Sequence, residues 1–119
     1  MPRPVLYTWN LTAECLGKLR EICAAMSVPV RPVAPQETEK SLASLGEAAP
    51  APGLMMMPFS EEMLLMAYFP DKLIDKLLAR MKAKKIAIPR KAVLTPTNAG
   101  WNSVQLFDEL SREAVRTKP

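Results

Sequence analysis

Residues 91–101 have the sequence KAVLTPTNAGW, in which a strand pattern ends and a helix pattern begins. The first four residues are mostly apolar, and Pro96 then holds Thr95 in extended backbone and ends the strand. The next residues are rich in turn formers, and Asn98 can hydrogen-bond the backbone two residues along. Polar side chains at a strand-to-helix junction are typical of the working edge of α/β and α+β domains. We therefore place the candidate site at this junction.

A strand, a helix and a second strand are predicted upstream of the junction. Residues 63–69 are almost continuously apolar, as in a strand that is buried on both faces. Pro70 and Asp71 suit the first turn of a helix. The apolar residues of this helix recur at helical spacing: Leu73, Ile74, Leu77, Leu78 and Met81. Residues 86–94 form the next predicted strand, interrupted near Pro89.

A last helix is predicted after the junction. Asn102 is its N-cap, and Gln105, three positions on, makes a near capping box. Trp101 would lie against the first turn and anchor this helix to the sheet. The core-facing residues of the helix are Leu106, Phe107, Leu110 and Ala114.

The first half of the chain has the same order of strand, helix and strand. Residues 5–9 alternate as in a short strand, and Thr12 is a suitable N-cap. The apolar stripe of the following helix is Cys15, Leu16, Leu19, Ile22, Cys23 and Met26. Residues 28–33 contain strand-forming valines and two prolines, so we expect an edge strand or an irregular one.

The two halves align on their apolar positions. Residues 6–33 and 65–93 each predict a βαβ unit, in which Leu16, Leu19, Cys23 and Val28 fall opposite Ile74, Leu77, Met81 and Ile86. We therefore expect an α+β fold, a ferredoxin-like sandwich of duplicated βαβ units with an inserted middle segment and a C-terminal helix. The alternative is a small mixed or parallel α/β sheet with helices on both faces.

The length of 119 residues predicts a single domain, residues 1–119. Residues 36–58 are expected to form an irregular insert or linker between the two βαβ halves. Within this insert, residues 36–45 could form a short helix and residues 48–53 resemble a linker. The run LMMM at 54–57 has thioethers that suit Cu(I). No nearby cysteine or histidine completes such a site, so we interpret the run as core packing or a contact surface.

The types of residue present exclude several kinds of chemistry. The chain has no histidine, which rules out histidine-dependent triads, HExxH zinc sites and imidazole proton shuttles within it. Cys15 and Cys23 lie roughly 12 Å apart along one predicted helix, too far apart for a disulfide. They indicate buried small hydrophobes. Glu61 and Glu62 would diverge on a strand, and the four glycines are isolated. We expect no catalytic residues, no metal and no cofactor.

The net charge is +4, and the basic residues concentrate in the third quarter of the chain. A basic patch of Lys76, Arg80, Lys84, Lys85 and Arg90 could contact phosphate, although such a run is more often a solvated helix face. No apolar run approaches the ~20 residues of a membrane span, and the first residues lack the features of a signal peptide. We expect a cytoplasmic protein with no membrane partner.

Residues from about 63 to 115 resemble an uncharacterised bacterial family, domain-of-unknown-function family 3783. The resemblance lies in the apolar strand, the leucine-rich helix, the motif KAVLTPTNxxW at 91–101, and the helix that contains Leu106, Glu109, Leu110 and Glu113. The first half of the chain shows no comparable match. The resemblance implies a small bacterial domain without an assigned reaction.

Two functions from different classes stay open. The first is a non-enzymatic binding or regulatory module that self-associates or recognises a protein partner. Its anionic small-ligand site would comprise Lys91, Thr95, Thr97, Asn98 and Trp101. In the alternative interpretation these residues are structural: they hydrogen-bond the backbone amides of the loop and anchor the last helix.

The second function is that of an RNA- or DNA-binding domain. It would use the basic patch together with Tyr7 and Trp9 on one exposed strand face. Aromatic residues make up only 6% of the chain and most are needed in a core, which makes this the weaker prediction.

Overall fold

The computed structural model describes residues 3–35, 38, 41–45, 57 and 59–117, with side chains as far as residue 112. Its elements are β1 (Val5–Trp9), α1 (Ala13–Ala25), β2 (Val30–Pro32), a 3₁₀ turn (Leu42–Ser44), β3 (Met63–Ala67), α2 (Asp71–Ala83), β4 (Arg90–Val93) and α3 (Ser103–Thr117). The predicted linker at 48–53 and residues 54–56 of the methionine run lie outside the described residues.

The four strands form one mixed sheet in the order β2-β1-β3-β4. β1 pairs parallel with β2, with Leu6 opposite Val30, and β3 pairs parallel with β4, with Leu65 opposite Ala92. The two parallel pairs meet in the antiparallel pairing of β1 with β3, centred on Tyr7 opposite Leu65. The predicted α+β class, with its two βαβ units, is confirmed.

The ferredoxin-like strand order is not confirmed. In that fold a strand of one βαβ unit lies between the two strands of the other, whereas here the strands of each unit are neighbours. A short hairpin between the second and third strands would force those two strands together. In this chain, 30 residues separate Pro32 from Met63. β2 therefore stays beside β1, and the sheet is the small mixed sheet of the alternative prediction.

The two βαβ units share their spacing. β3 begins 58 residues after β1 and α2 begins 58 residues after α1, with equal lengths in both pairs, whereas β4 begins 60 residues after β2 and is one residue longer. The backbone has positive φ after the first strand of each unit, at Asn10 (61°) and Tyr68 (62°). It has positive φ again after each helix, at Ser27 and Lys85 (both 58°). The alignment of apolar positions inferred from the sequence has this same offset.

One core lies between the sheet and the helices α1 and α2, which also pack against each other. Thr12 caps α1 by accepting a hydrogen bond from the backbone N–H of Cys15 at 3.1 Å, as predicted. The stripes predicted for the two helices supply five of the eleven buried residues of this core. Its buried members are Leu6, Leu19, Ile22, Cys23, Val28, Leu64, Met66, Phe69, Leu77, Met81 and Ile88.

A second core covers the opposite face of the sheet, beneath the 3₁₀ turn and α3. Its buried members are Tyr7, Trp9, Val33, Leu42, Leu45, Phe59, Met63, Leu65, Ala67 and Leu106. Trp9 is 0% exposed and Tyr7 is 4% exposed. The prediction that these two rings are available for stacking on bases is therefore wrong, because the turn and α3 cover the sheet face on which they lie.

Four elements are shorter than predicted, and one of them is β2, which covers Val30–Pro32 of the predicted residues 28–33. The strand predicted over 63–69 ends at Ala67, because Tyr68 has positive φ. The strand predicted over 86–94 is confined to Arg90–Val93, since Pro89 cannot donate to a ladder. Among the described residues of the helix predicted over 36–45, Leu42–Ser44 form the 3₁₀ turn.

The hydrogen bond between Trp9 and Ser103 joins β1 to α3 within the second core, with the indole N–H donating to Oγ at 3.0 Å. Ser103→Ala leaves this buried N–H without its partner. We expect the free energy of unfolding to fall by about 1–3 kcal/mol, measured by urea denaturation with tryptophan fluorescence. Ser60→Ala, at an exposed residue, is the control and should change it by less than about 0.5 kcal/mol. Equal losses in the two variants would contradict the assigned role.

Candidate functional site

The candidate site lies where the parallel strands β3 and β4 end side by side. β3 is followed by Tyr68 and Phe69 and then by α2, and β4 is followed by a turn, residues 94–102, that leads into α3. In open α/β sheets, ligands bind outside the carboxyl ends of the strands. The predicted segment 91–101 therefore runs from within β4 to this edge.

Asn98 holds the turn together. Its Oδ1 accepts from the backbone N–H of Thr95 at 2.8 Å, and its Nδ2 donates to the carbonyl of Val93 at 3.0 Å. In return, the backbone N–H of Asn98 donates to Thr95 Oγ1 at 3.2 Å. Asn98 is 7% exposed, so its amide is committed to the backbone of its own loop.

The turn is also fixed to its neighbours. The N–H of Leu42 donates to the carbonyl of Trp101 at 2.7 Å, and the N–H of Ala43 donates to the carbonyl of Ala99 at 3.1 Å. At the start of α3, residues 102 and 105 exchange side chain-to-backbone hydrogen bonds of 2.9 Å each, which confirms the predicted capping box. Residues 94–102 are thus held by hydrogen bonds to the 3₁₀ turn on one side and to the start of α3 on the other.

The structure brings Thr95 and Asn98 into contact, but it does not gather all five predicted ligand residues. The Nζ of Lys91 donates to the carbonyl of Ile88 at 2.7 Å, toward the amino end of β4 and away from the turn. Thr97 is exposed, and Trp101 packs half-buried against the second core. Asn98 is engaged within the turn, and Thr95 lines a cavity. Ligand binding by these five residues stays a prediction. Thr95 is the one residue among them that lines the cavity.

The predicted basic patch is divided in two. Its members on and just after α2 are exposed: Lys76, Arg80, Lys84 and Lys85. Arg90 lies apart, with its guanidinium 4.7 Å from the ring centroid of Phe107 and its Nε donating to Ser111 Oγ at 3.0 Å. Phe107 in turn stacks on Phe59 with ring centroids 4.3 Å apart. Arg90 therefore fastens α3 to β4.

A cavity of about 280 Å³ opens at the carboxyl edge of β3 and β4. Its lining residues are Ala43, Tyr68, Phe69, Leu94, Thr95, Pro96 and Ala99. Phe69 belongs to the first core and Leu94 packs against the second, so the cavity lies where the two cores meet at the end of the sheet. Among the described residues that line it, none has a side chain that is charged at neutral pH.

Tyr68 is the unusual member of this lining. Its φ of 62° lies in the left-handed region, which costs a bulky L-residue about 1–2 kcal/mol. Asn10, at the equivalent position of the first unit, tolerates that backbone, and its Nδ2 donates to the carbonyls of Phe59 and Glu61 at 2.8 and 3.1 Å. Tyr68 remains 40% exposed. The repeat shows that the connection needs a left-handed residue, but a tyrosine is not what the backbone favours there.

The two thiols are not prepared for nucleophilic chemistry. Cys15 and Cys23 are free. Burial raises the pKa of Cys23 to about 11, and burial, with a smaller effect of the Glu62 carboxylate, raises the pKa of Cys15. A reactive thiol needs a lowered pKa. In the part of the chain that is described, no three His, Cys, Asp or Glu side chains are grouped as metal ligands. No helix there is both long and apolar enough to span a bilayer.

Three residues of the cavity lining are not predicted as site residues from the sequence. Tyr68 and Phe69 are absorbed into the predicted strand, although the alignment of Asn10 with Tyr68 at the repeat offset is a signal for a left-handed position. Ala43 reaches the cavity from the long connection between the two units. We find no sequence signal for that contact.

The fold and the site define a small mixed α+β domain in which one βαβ unit carries a hydrogen-bonded turn and an apolar cavity at its carboxyl edge. The model of a family described as a domain of unknown function (DUF3783) matches residues 62–115, from β3 into α3. The resemblance predicted for the second half of the chain is therefore confirmed. No curated protein and no solved structure matches the chain.

Asn98→Ala removes both side-chain hydrogen bonds of the turn. We expect the free energy of unfolding to fall by about 2 kcal/mol, since each lost bond costs about 1 kcal/mol and buried groups lose their partners. Thr97→Ala, one residue away at an exposed position, is the matched control and should be nearly neutral. Thermal or urea unfolding compares the two. A neutral Asn98→Ala variant would show that the turn does not depend on this amide.

The strain at Tyr68 can be measured by comparing glycine with alanine. Both Tyr68→Gly and Tyr68→Ala remove the ring, but only glycine adopts positive φ freely, so the glycine variant should be more stable by about 1 kcal/mol. At the exposed helical position Lys76 the order should reverse, with alanine more stable than glycine by about 1 kcal/mol. Urea unfolding of the four variants measures both differences. The same order at both positions would refute the left-handed conformation.

Proposed function

We propose that this protein is a non-enzymatic binding module whose site is the cavity lined by Tyr68 and Thr95. The observation that carries the proposal is a strained, 40% exposed tyrosine in the wall of an apolar cavity. Strained residues cluster at ligand sites, where the surrounding structure holds them in place. A concave, mainly apolar cavity with a few polar groups is the usual form of a small-ligand site.

We propose the cavity as the binding site in place of the anionic-ligand site that was predicted from the sequence. Lys91 is the residue predicted to pair with the anion, but its Nζ donates a hydrogen bond to the carbonyl of Ile88. Asn98 uses its amide within the turn. An anion that loses water on entering the cavity would therefore lack a charged partner in the described lining, which is unfavourable. Thr95 is the one member of the predicted set that we retain.

Nucleic-acid binding has less support as the alternative. Four cations on and after α2 are exposed, and they supply the electrostatic part of such binding. Tyr7 and Trp9 do not supply the predicted stacking, because both are buried in the second core. Affinity for RNA or DNA that falls steeply with salt would favour this alternative.

We also propose a bacterial, cytoplasmic setting and assembly with a second copy or with a protein partner. The free Cys15 and Cys23 fit a reducing compartment. β2 and β4 lie at the edges of the sheet, and an edge strand can pair with another chain.

Amide-correlation NMR with a fragment library tests the binding function. The library should contain acids, amines, sugars and neutral ring compounds, so that the result does not depend on the ligand class. We expect at least one compound to shift the backbone amides of residues 68–69, 94–95 and 97–99 in a saturable way. If no class of compound does so, the proposal is wrong.

Two matched variants locate the binding. Ala43→Leu places a larger side chain in the cavity wall from an exposed position and should abolish the shifts. Ala79→Leu makes the same change on the exposed face of α2 and should leave them intact. Shifts that persist in Ala43→Leu would place the site elsewhere.

A further inference from the structure

We infer that the cavity accepts a small, uncharged, monocyclic aromatic compound with one hydroxyl, carbonyl or amide group. This inference rests on the proposed binding function and names the ligand class for that same site. Four properties of the cavity support it: its volume, its lack of charged side chains, and the two hydroxyl-bearing and two aromatic residues in its lining.

The volume limits the ligand to about one ring. An apolar cavity of about 150 Å³ is large enough for benzene, and the cavity here measures about 280 Å³. The difference leaves room for a short polar substituent. Sites for drug-sized ligands begin at about 300 Å³, so a fused or extended molecule would project into solvent.

The lining offers no ionic partner to a charged ligand. Ala43, Phe69, Leu94, Pro96 and Ala99 supply apolar surface, and the described lining contains no carboxylate, ammonium or guanidinium. A charge that loses its water without gaining a partner is strongly disfavoured. The ligand is therefore uncharged in the part that enters the cavity.

Two hydroxyl groups are left to recognise a polar substituent. Thr95 Oγ1 accepts from the backbone N–H of Asn98 at 3.2 Å, so its own proton is still available to a ligand oxygen. The phenol of Tyr68 has no hydrogen-bond partner among the described residues and can donate or accept. One neutral polar group on the ligand is the chemistry that these hydroxyls match.

The walls favour an aromatic ring over a saturated one. Phe69 and Tyr68 follow one another in the lining, and contacts between aromatic rings add about 0.5–1.5 kcal/mol to what burial alone provides. The contrast with Asn10 points the same way. Asn10 adopts the same backbone conformation and uses its side chain for internal hydrogen bonds, whereas the second unit has a tyrosine at this position, in the lining of the cavity.

Titration with a set of matched probes tests the ligand class by amide-correlation NMR. The neutral aromatic probes are benzyl alcohol and benzamide, the charged ones are benzoate and benzylamine, and the saturated one is cyclohexylmethanol. We expect the neutral aromatic probes to saturate the shifts of residues 68–69, 94–95 and 97–99. The charged probes should bind at least about tenfold more weakly, and the saturated probe about two- to tenfold more weakly.

Variants assign the interactions. Tyr68→Phe keeps the ring and removes the hydroxyl. It should lower the affinity for benzamide by about two- to tenfold. Ala43→Leu should abolish the shifts, and Ala79→Leu should preserve them. Equal binding of benzamide to Ala43→Leu and the unchanged protein would overturn the inference.

The remaining outcomes separate the two proposals. Benzoate, benzylamine or cyclohexylmethanol binding as tightly as the neutral aromatic probes would overturn the ligand class. If none of the five probes binds but other library fragments shift the same amides, the ligand class is wrong and the binding function stands. If no compound of any class shifts them, both proposals are wrong.

Discussion

The antiparallel pairing of β1 with β3 is the constraint on which the rest of the structure depends. Its five residue pairs join two βαβ units, each of which has only one pair of parallel strands. Two strands alone form a marginal sheet, whereas the joined units give four strands with a core on each face. All five residues of β3 are buried. The pairing brings α1 and α2 together on one face and leaves the other face to the 3₁₀ turn, Phe59 and α3.

The same pairing separates the two strand-to-helix connections. Because β1 and β3 run in opposite directions, Asn10 and Tyr68 lie at opposite ends of the sheet. Both connections need a left-handed residue, but their surroundings differ. Asn10 is held by the segment that enters β3, while Tyr68 lies next to the turn that follows β4, with Ala43 completing the wall. A symmetric backbone thus carries an asymmetric site.

Features that depend on residues close together in the chain could be predicted from the sequence. Features that depend on contacts between distant residues could not. The stripes of α1 and α2, the Thr12 cap and the 58-residue alignment are read from neighbours along the chain. The strand order depends on the 30 residues between Pro32 and Met63, whose length removes the hairpin that a ferredoxin-like order needs. Trp9 looks available for stacking because its partner, Ser103, is 94 residues away. Lys91 lies in the right segment, but the hydrogen bond of its side chain to Ile88 could not be inferred from composition.

The two units differ in how strongly their contacts constrain individual residues. The first unit supplies strands and a helix face to two cores, and many combinations of apolar residues of suitable volume meet that requirement. The turn after β4 is more demanding. Asn98 must accept from Thr95 and donate to Val93, which requires an amide of that length at that position. The family model matches residues 62–115, the part of the chain that contains this turn. The cavity, which depends on this turn for much of its wall, lies in the same part of the chain.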